Sequence, residues 1–387
     1  MPPYLPKSPV FWLLLACVLT QFYYWFHYFG PFARRPAEAP ADAPGPDDHA
    51  PVSIVVCARN ELENLRRLLP LLLRQDYPGP FEVVLIDDRS RDDTQQYAQQ
   101  LGQYYAERFR LVTVKSTPDG FAPKKYALTL GIKAARHPRL LFTDADCIPA
   151  TNQWLRLMQR GFGGPGAGAG SAADLVLGFS AYAEAPGLLN RLIRYETLLT
   201  AAQYLSFAWR GRPYMGVGRN LAYTRATFAA TKGFASHIRR LSGDDDLLVQ
   251  DAVAQGRRAA VVADAPAHTL SVPAATWAAW WAQKRRHLSA GSRYRAADRG
   301  RIGAFVLANT LLYVLTVALA FSPELWVTLA VVWVLRTLAL IRVYGLLGRR
   351  LGQPLPLVWL PLLDVLYFAQ YVTISLSLLF KRPLRWK

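Results

Sequence analysis

Val52–Cys57 reads Val-Ser-Ile-Val-Val-Cys, a continuous apolar run of the kind that forms a strand buried inside a parallel sheet. Asn60 and Glu61 follow it, and a helix is predicted next because leucines recur at helical spacing, at positions 62, 65, 68, 69 and 72. The alternation continues with strands predicted at 81–86, 110–114 and 139–143 and helices from about 92 and over 124–136. This pattern predicts an α/β fold with a doubly wound, mostly parallel sheet covered by helices.

Carboxylates follow the predicted strands. Asp144 and Asp146 end one of them with a single residue between, so both can face one site, and paired oxygen ligands suit Mg²⁺ or Mn²⁺. Taken alone, Asp-x-Asp at a strand end is more often a solvated turn. Because the carboxyl ends of parallel strands share one edge, however, three pairs should converge in one crevice: Asn60-Glu61, Asp87-Asp88 and Asp144-Asp146.

A fourth acidic cluster, Gly243-Asp244-Asp245-Asp246, precedes a helix predicted over 247–255. These side chains could belong to the same site, or they could merely cap that helix. Glu61 is ambiguous in the same way, because a negative charge at a helix N-terminus favours the helix dipole. The residues alone leave both interpretations open.

Apolar stretches place the chain at a membrane. Hydrophobic residues make up 52% of its 387 residues, and the mean hydropathy of +0.09 is high for a purely soluble protein. Val10–Gly30 has spanning length and no formal charge, which predicts an N-terminal transmembrane anchor over 1–35. Arg34-Arg35 follows it and places the downstream side in the cytoplasm; a cleaved signal peptide is the rival interpretation.

Three further apolar stretches, at about 303–321, 325–344 and 355–380, predict a C-terminal transmembrane region over 301–387 with two or three crossings. Arg299 and Arg301 before the first stretch, and the arginines at 342, 349 and 350 after the second, favour a cytoplasmic side. The basic terminus at 381–387 also favours the inside, which a full crossing by the third stretch would contradict. Either the third stretch enters the membrane and returns to the same side, helped by Pro361 and Asp364, or the basic terminus lies on the far side of the membrane.

The remaining segments divide by composition. Residues 36–50 are rich in Pro, Ala and Asp and are predicted to be a linker, which leaves 51–273 as the α/β domain. Residues 274–300 are predicted to form an interfacial amphipathic helix. Its tryptophans would face lipid, while Gln283 and Arg286 would face the site.

Several function classes fit poorly. The net charge of +18 comes from 45 basic and 27 acidic residues, and much of the basic excess flanks apolar stretches, which favours membrane lipids over nucleic acid as partner. No phosphate-binding P-loop occurs, and Gly216-Val217-Gly218 lacks the third glycine of the dinucleotide fingerprint. Cys17, Cys57 and Cys147 have neither metal nor redox spacing, which is consistent with a reducing compartment.

In this order the motifs resemble the membrane-bound, inverting family 2 glycosyltransferases of GT-A fold, which include cellulose, hyaluronan and poly-N-acetylglucosamine synthases. The resemblance covers about 51–291. Leu85–Ser90 resembles the family's Asp-Asp-Gly-Ser, with Arg89 in place of glycine, and Lys124–Leu128 resembles its Gly-Lys-x-x-Ala-Leu, with Pro123 in place of glycine. Gln283–His287 resembles Gln-x-x-Arg-Trp, but His287 replaces the tryptophan typical of processive synthases. That replacement weakens any expectation of a long polymer.

The resemblance implies a role for each matching residue. Asp146 and Asp144 would hold the metal and the diphosphate. Asp245 would be the general base, with Asp244 in place of the family's glutamate, and Asn220 would contact the acceptor. The donor would be bound by a further set: Asn60, Glu61, Asp88, Lys124, Asp144, Gln283 and Arg286.

The function so implied is inverting sugar transfer from a nucleoside diphosphate sugar, UDP-linked, to a lipid-linked or growing glycan acceptor. The enzyme would be an integral protein of the inner or plasma membrane, with its catalytic domain in the cytoplasm and Mg²⁺ or Mn²⁺ as cofactor. Two alternatives stay open, a nucleotidyltransferase of similar sheet topology and a membrane scaffold that binds nucleotide sugar without turnover. Neither alternative accounts for all the motifs, because the first leaves the Gln-x-x-Arg helix unexplained and the second has no need of a base.

Overall fold

A computed structural model of the chain describes residues 8–36, 49–163 and 172–380. These residues form two compact units. The helical unit comprises residues 8–36, 186–206 and 294–380, and the sheet unit comprises the remainder up to residue 293. The predicted boundaries did not anticipate that 186–206 group with the apolar helices. Most of the predicted linker and the basic terminus at 381–387 lie outside the described residues.

The sheet unit contains ten strands. In chain order they are β1 (Val52–Ala58), β2 (Phe81–Asp88), β3 (Phe109–Val114), β4 (Arg139–Asp144), β5 (Cys147–Pro149), β6 (Leu175–Leu177), β7 (Ser180–Tyr182), β8 (Leu221–Thr224), β9 (Ala259–Val261) and β10 (Thr269–Ser271).

Thirteen α-helices are found in the described residues. They are α1 (Pro9–Tyr23), α2 (Gly30–Ala33), α3 (Leu62–Leu73), α4 (Thr94–Tyr104), α5 (Pro123–Ala134), α6 (Trp154–Arg160), α7 (Leu188–Trp209), α8 (Arg225–Ala230), α9 (Asp246–Ala254), α10 (Trp277–Leu288), α11 (Ala296–Leu319), α12 (Trp326–Arg350) and α13 (Leu360–Ser377).

Seven strands form the main sheet, in the order β3-β2-β1-β4-β8-β6-β9. The first four are mutually parallel, whereas β8 runs antiparallel to both β4 and β6. The predicted α/β class with a mostly parallel sheet is therefore confirmed. A second sheet, β5-β10-β7, places Ser271 of β10 opposite both Cys147 and Tyr182.

The register brings the predicted strand ends together. Ala58 of β1 lies opposite Asp87 of β2, and Cys57 lies opposite Asp144 of β4. The carboxyl ends of these three strands therefore meet at one edge, as their parallel pairing requires. Helix α5 packs tightly beneath this edge because Gly131 has no side chain: a Cβ there would lie 2.4 Å from Cδ1 of Ile86.

The helical unit contains four helical segments long and apolar enough to cross a membrane, Pro9–Ala33, Ala296–Leu319, Pro323–Arg350 and Leu357–Ser377. The first continues through a π-helical turn, Tyr24–Phe29, between α1 and α2. Three such segments thus follow the sheet unit, the upper of the two predicted numbers. Pro361 lies in the first turn of α13, where a proline does not interrupt a helix.

A polar cluster is buried among these helices. Asp364 of α13 forms an ion pair with Arg336 of α12 and accepts a hydrogen bond from the Tyr195 hydroxyl of α7 at 2.6 Å. Nε of Arg336 donates to Oε1 of Gln21 in α1 at 2.8 Å. We name Gln21, Tyr195, Arg336 and Asp364 the buried ion-pair cluster. It joins four helices through groups that would be costly to bury unpaired.

Candidate active site

Lys124 joins two acidic clusters that are far apart in the sequence. Its Nζ lies 3.1 Å from Oδ1 of Asp144, at the end of β4, and 2.9 Å from Oδ2 of Asp244. Pro123 begins α5 and places Lys124 in the first turn of that helix. Lys124, Asp144 and Asp244, all predicted for the same site, are thus in contact.

The opposite charges of Lys124 and the two aspartates favour the ionised form of each group. Burial alone would lower the pKa of Lys124, but the carboxylates of Asp144 and Asp244 outweigh it and hold that pKa well above its usual range. Burial likewise favours the neutral form of Asp244, yet Lys124 lowers the pKa of this carboxyl. Both groups are therefore ionised at neutral pH.

Asp245 has a different environment from its neighbour. Oδ2 accepts the backbone N–H of Gly218 and Oδ1 accepts that of Asp246, each at 2.8 Å. Burial, followed by the negative charge of Asp244, raises the pKa of Asp245. A fixed carboxylate with increased proton affinity is what a general base requires. The chain turns into this position at Gly243, whose φ of +92° is unfavourable for residues with a side chain.

These groups open onto one cavity between β4, β8 and the start of α5. Four predicted site residues line it, Lys124, Asp144, Asp244 and Asp245. The other lining residues are Val55, Cys57, Leu128, Phe142, Thr143, Gly218, Leu221 and Tyr223. The walls of this cavity therefore carry an ammonium group and several carboxylates side by side.

Asn60 and Glu61 connect the loops that follow β1 and β2. The backbone N–H of Asn60 donates to Oγ of Ser90 at 2.9 Å, and its side-chain oxygen accepts the N–H of Arg91 at 2.7 Å. The N–H of Glu61 donates to Oγ1 of Thr94 at 3.1 Å. Both residues therefore shape the loops, and Asn60 adopts a φ of +56°, which asparagine tolerates better than most residues.

Asp88 ends β2 with one carboxylate oxygen uncommitted. Oδ1 accepts Nε of Arg89 at 2.8 Å, whereas Oδ2 is buried and has no hydrogen-bond partner among the described residues. A buried acceptor of this kind is costly unless a ligand donates to it. Arg89 itself has a φ of +58°, which explains why the resembling motif carries glycine at this position.

The paired carboxylates Asp144 and Asp146 are both partly accessible to solvent. Asp144 already accepts from Lys124, and Oδ1 of Asp146 faces the Cys147 thiol at 3.6 Å. The described part of the chain contains no group of three or more His, Cys, Asp or Glu residues able to hold a metal together. The pair fits Mg²⁺ or Mn²⁺ by ligand type, provided that substrate and water oxygens supply the other ligands.

Sequence reasoning missed Arg219. Its Nη1 donates to Oγ of Ser271 at 2.7 Å, and its guanidinium lies 4.4 Å from the centre of the Tyr182 ring. Burial would lower the pKa of Arg219, but Tyr182 and then the acidic groups of Cys147, Asp146 and Asp144 raise it. A second cation therefore lies near the paired carboxylates. The available signal was a basic residue directly after a glycine, in a segment where only Asn220 was considered.

The position of Asn220 speaks against the predicted acceptor contact. The residue is completely buried, its side-chain oxygen accepts Nε1 of Trp154 at 3.0 Å, and Nδ2 donates to the carbonyls of Phe179 and Ala267. These bonds occupy both ends of the amide, so Asn220 holds the fold together. Its segment lies directly before strand β8.

Gln283 and Arg286 lie one turn apart on α10, and neither lines the cavity described above. His287, near the end of the same helix, does not line the cavity either. His287 is itself exposed to solvent. The expectation that the tryptophans of this helix face lipid fails for Trp280, which is only 1% exposed.

Comparison with known proteins places these residues in context. Residues 53–172 match the family model Glycosyl transferase family 2. The chain is also 30% identical over 105 residues to Glycosyltransferase AglE of Haloferax volcanii. That match covers 27% of this chain and 33% of the relative, so the chain spans about a third of the length of that protein.

Among solved structures, Mannosyltransferase PcManGT from Pyrobaculum calidifontis, in complex with GDP-Man and Mn2+, is similar over 97% of this chain and 99% of its own. The TM-score is 0.63 at 18% identity, which shows a shared fold and no more. S. aureus TarS 1-349 reaches a TM-score of only 0.42 at 16% identity, over 87% and 93% of the two chains, and carries no argument. The chain thus has a GT-A-type α/β fold, and its residues 53–172 match the Glycosyl transferase family 2 model.

Proposed function

We propose that this protein transfers a sugar from a nucleoside diphosphate sugar to an acceptor hydroxyl, with inversion at the anomeric carbon. The observation that carries the proposal is the contact of Lys124 with both Asp144 and Asp244, beside Asp245 in a single cavity. That cavity combines a cation for a leaving diphosphate with a base for an attacking hydroxyl. A sugar transferase needs both in the same place.

The leaving diphosphate requires neutralisation of its charge. Lys124 and Arg219 are two cations near the paired carboxylates, and Gln283 and Arg286 are proposed for the same end of the donor. Asp146 and Asp144 would hold a divalent metal, which when bound withdraws charge from the diphosphate oxygens. The solved structure of similar fold contains GDP-mannose and Mn²⁺, which supports a donor and a cofactor of this class.

The acceptor hydroxyl loses its proton as it attacks the anomeric carbon. Asp245 is proposed to take that proton, because its carboxylate is fixed by two backbone N–H groups and its pKa is raised. A base of this kind contributes about two to four powers of ten to the rate. Direct displacement by the activated hydroxyl inverts the configuration, since no covalent sugar-enzyme intermediate is formed.

We propose that the nucleobase of the donor binds near Asp88, at the end of β2. The unpaired Oδ2 of Asp88 can accept a ring N–H, which uracil and guanine both offer and adenine and cytosine lack. Of these two we propose the UDP-linked donor that the sequence resemblance implies. Asn60 and Glu61 would act by holding the loops beside that base.

A membrane location follows from the four apolar helices, and we propose that the sheet unit lies on the cytoplasmic side. Nucleotide sugars are expected there, and Arg34-Arg35 supports this orientation through the positive-inside rule. A lipid-linked acceptor, or a glycan growing on one, would be presented at the membrane surface. With histidine at position 287, we expect one or a few transfers in place of a long polymer.

The proposal is tested by incubating the purified full-length protein with a panel of nucleoside diphosphate sugars and an extract of membrane lipids. We expect nucleoside diphosphate release that depends on the lipid, requires Mg²⁺ or Mn²⁺, and yields one anomer of a glycosylated lipid. Release of inorganic diphosphate from nucleoside triphosphates would instead identify a nucleotidyltransferase. Donor binding without any release would identify a scaffold.

A further inference from the structure

We infer that Lys125 is a positioning residue, whose ammonium group fixes the segment His237–Ser242 so that Asp244 and Asp245 face the cavity. The inference rests on the proposed function, because those two carboxylates have a task only if the cavity binds a reacting substrate. Lys125 is the neighbour of Lys124, but it contacts neither the cavity nor a carboxylate directly. It therefore acts through the loop that carries the acids.

The contacts of Lys125 define this clamp. The side chain is only 1% exposed, and Nζ donates to the carbonyl oxygens of His237 at 2.9 Å and Ser242 at 2.8 Å. Ser242 precedes Asp244 by two residues, with the positive-φ turn at Gly243 between them. A cation that donates to two carbonyls forms bonds stronger than those between neutral groups. The second bond thus fixes the chain just before the turn into the acidic cluster.

Consecutive residues of a helix point in different directions, separated by about 100°. The two lysines at the start of α5 use this divergence, since Lys124 reaches the carboxylates of Asp144 and Asp244 while Lys125 reaches the backbone of the loop. The position of Asp244 is therefore set twice from the same helical turn. One lysine holds its side chain, and the other holds the backbone leading to it.

The far end of the segment is anchored as well. The N–H of Ala122 donates to the carbonyl of Ile238 at 2.8 Å, which adds a backbone bond from the start of α5. The ring of His237 lies 3.4 Å from Oδ2 of Asp251 on α9, and Ser236 bonds to both. Lys125 is thus the central member of a contact that ties α5 to the loop before α9.

The charge of this clamp is sensitive to pH. Burial lowers the pKa of Lys125 to about 8, although Asp244, Asp246 and Asp245 counteract the shift and Arg240 adds to it. The carboxylate of Asp251 also lies close enough to interact with the ammonium group. Above that pH the amine loses its charge, and its bonds to the two carbonyls weaken. The loop should therefore loosen in mildly alkaline solution.

Hydrogen exchange of the wild-type full-length protein tests the clamp without any need for turnover. After correction for the intrinsic pH dependence, amides of residues 237–246 should exchange about tenfold faster at pH 9.5 than at pH 7, while those of β1 should not change. Lys125→Met should show the faster exchange already at pH 7. Equal protection of 237–246 at both pH values, together with normal protection in Lys125→Met, would overturn the inference.

Kinetic measurements then distinguish a Lys125 that positions the two aspartates from one that only stabilises the fold. Lys125→Met should lower kcat about tenfold or more, because two charge-assisted hydrogen bonds are lost, with the donor Kd nearly unchanged. Lys125→Arg keeps the charge and should move the alkaline decline of kcat to higher pH. Lys133→Met, an exposed lysine of the same helix, is the matched control and should leave both values unchanged. A wild-type protein inactive with every donor would refute the proposed function but leave the exchange result decisive for Lys125.

Discussion

The backbone N–H of Gly218 donates a hydrogen bond to Oδ2 of Asp245 over 2.8 Å. Gly218 precedes β8, and Asp245 directly precedes α9, so this bond ties the sheet to the acidic cluster at the cavity. It orients one carboxylate oxygen without neutralising it, because the donor is an uncharged amide. Asp244, one residue away, is instead neutralised by Lys124. Two adjacent aspartates are thus prepared for different tasks.

We predict that Asp245→Asn lowers the single-turnover rate of sugar transfer by about a hundredfold or more, because an amide cannot accept the proton of the acceptor. Donor affinity should stay nearly unchanged. Binding isotherms measured beside single-turnover rates separate the two effects, with Asp119→Asn, an exposed aspartate, as control. If the variant lost donor binding while bound donor still reacted normally, Asp245 would be a donor ligand, and Asp244 or Asp246 would become the candidate base.

The pH dependence follows from the same carboxylate. The pKa of Asp245 is raised above the usual aspartate range, so the base form is lost as pH falls through that raised value. We expect kcat to decline on the acid side at a higher pH than an ordinary aspartate would give, and Asp245→Asn to abolish this limb. A wild-type kcat that stays flat down to about pH 4, the ordinary aspartate range, would contradict the assignment.

We predict that transfer requires a divalent metal held by Asp146. Without the metal, this carboxylate would face the diphosphate as a like charge. Asp146→Asn should abolish transfer and also remove the increase in nucleoside diphosphate affinity that Mn²⁺ produces in the wild type. Calorimetric binding with and without Mn²⁺ provides this second readout. Full activity in excess chelator would refute the metal assignment.

We predict that Asp88 reads the nucleotide. Asp88→Asn keeps the shape but replaces one acceptor oxygen by a donor, so an N–H of the base would lose its partner. The donor Kd should rise by about tenfold, corresponding to one hydrogen bond to a charged group, with a smaller effect on the rate of bound donor. Asp93→Asn, at an exposed position in the loop that follows β2, should leave the donor Kd unchanged. An unchanged Kd in Asp88→Asn would assign the base to another residue.

Local sequence patterns are sufficient to predict the shared edge of the sheet but not the contacts made across it. The ends of β1, β2 and β4 could be predicted to meet because periodicity identifies buried strands and parallel pairing fixes their shared edge. The bond between Lys124 and Asp244 could not, since 120 residues separate the partners and only the folded chain brings them together. The acceptor role of Asn220 could not be judged from the sequence, because a polar residue in a loop looks the same whether it faces a ligand or three internal partners.

Burial explains the remaining differences. Trp280 has the spacing of a lipid-facing residue, but helical spacing does not reveal which surface covers each face of a helix. Tyr195 and its helix were assigned to the α/β domain by their position in the chain, whereas Tyr195 bonds to Asp364 in the helical unit. The role of Lys125 could not be predicted from the sequence, because its partners are backbone carbonyls, which every residue has.

We also predict on which side of the membrane the sheet unit lies. Arg34-Arg35 and the arginines at 299 and 301 place the sheet unit in the cytoplasm by the positive-inside rule. A cysteine introduced at Tyr104, which is 84% exposed, should react with an impermeant thiol reagent only when the cytoplasmic face is accessible. A cysteine at Phe321, between two of the apolar segments and 83% exposed, should react from the opposite side. The parent chain measures the background from the three native cysteines, and labelling of both sites from one side would refute this orientation.

The last prediction concerns the buried ion-pair cluster. Arg336 and Asp364 are at most 2% exposed, so replacing either one leaves its partner charged and unpaired among apolar helices. Arg336→Met or Asp364→Leu alone should destabilise the protein by about 3–5 kcal/mol, whereas the double variant removes both charges and should recover most of that loss. Thermal unfolding of the purified protein in detergent measures all three, with Arg342→Met, an exposed arginine on the same helix, as control. If the double variant were as unstable as the two single variants added together, the pair would not act as a unit. The hydrogen bonds of Arg336 to Gln21 and of Tyr195 to Asp364 would then be what stabilises these helices.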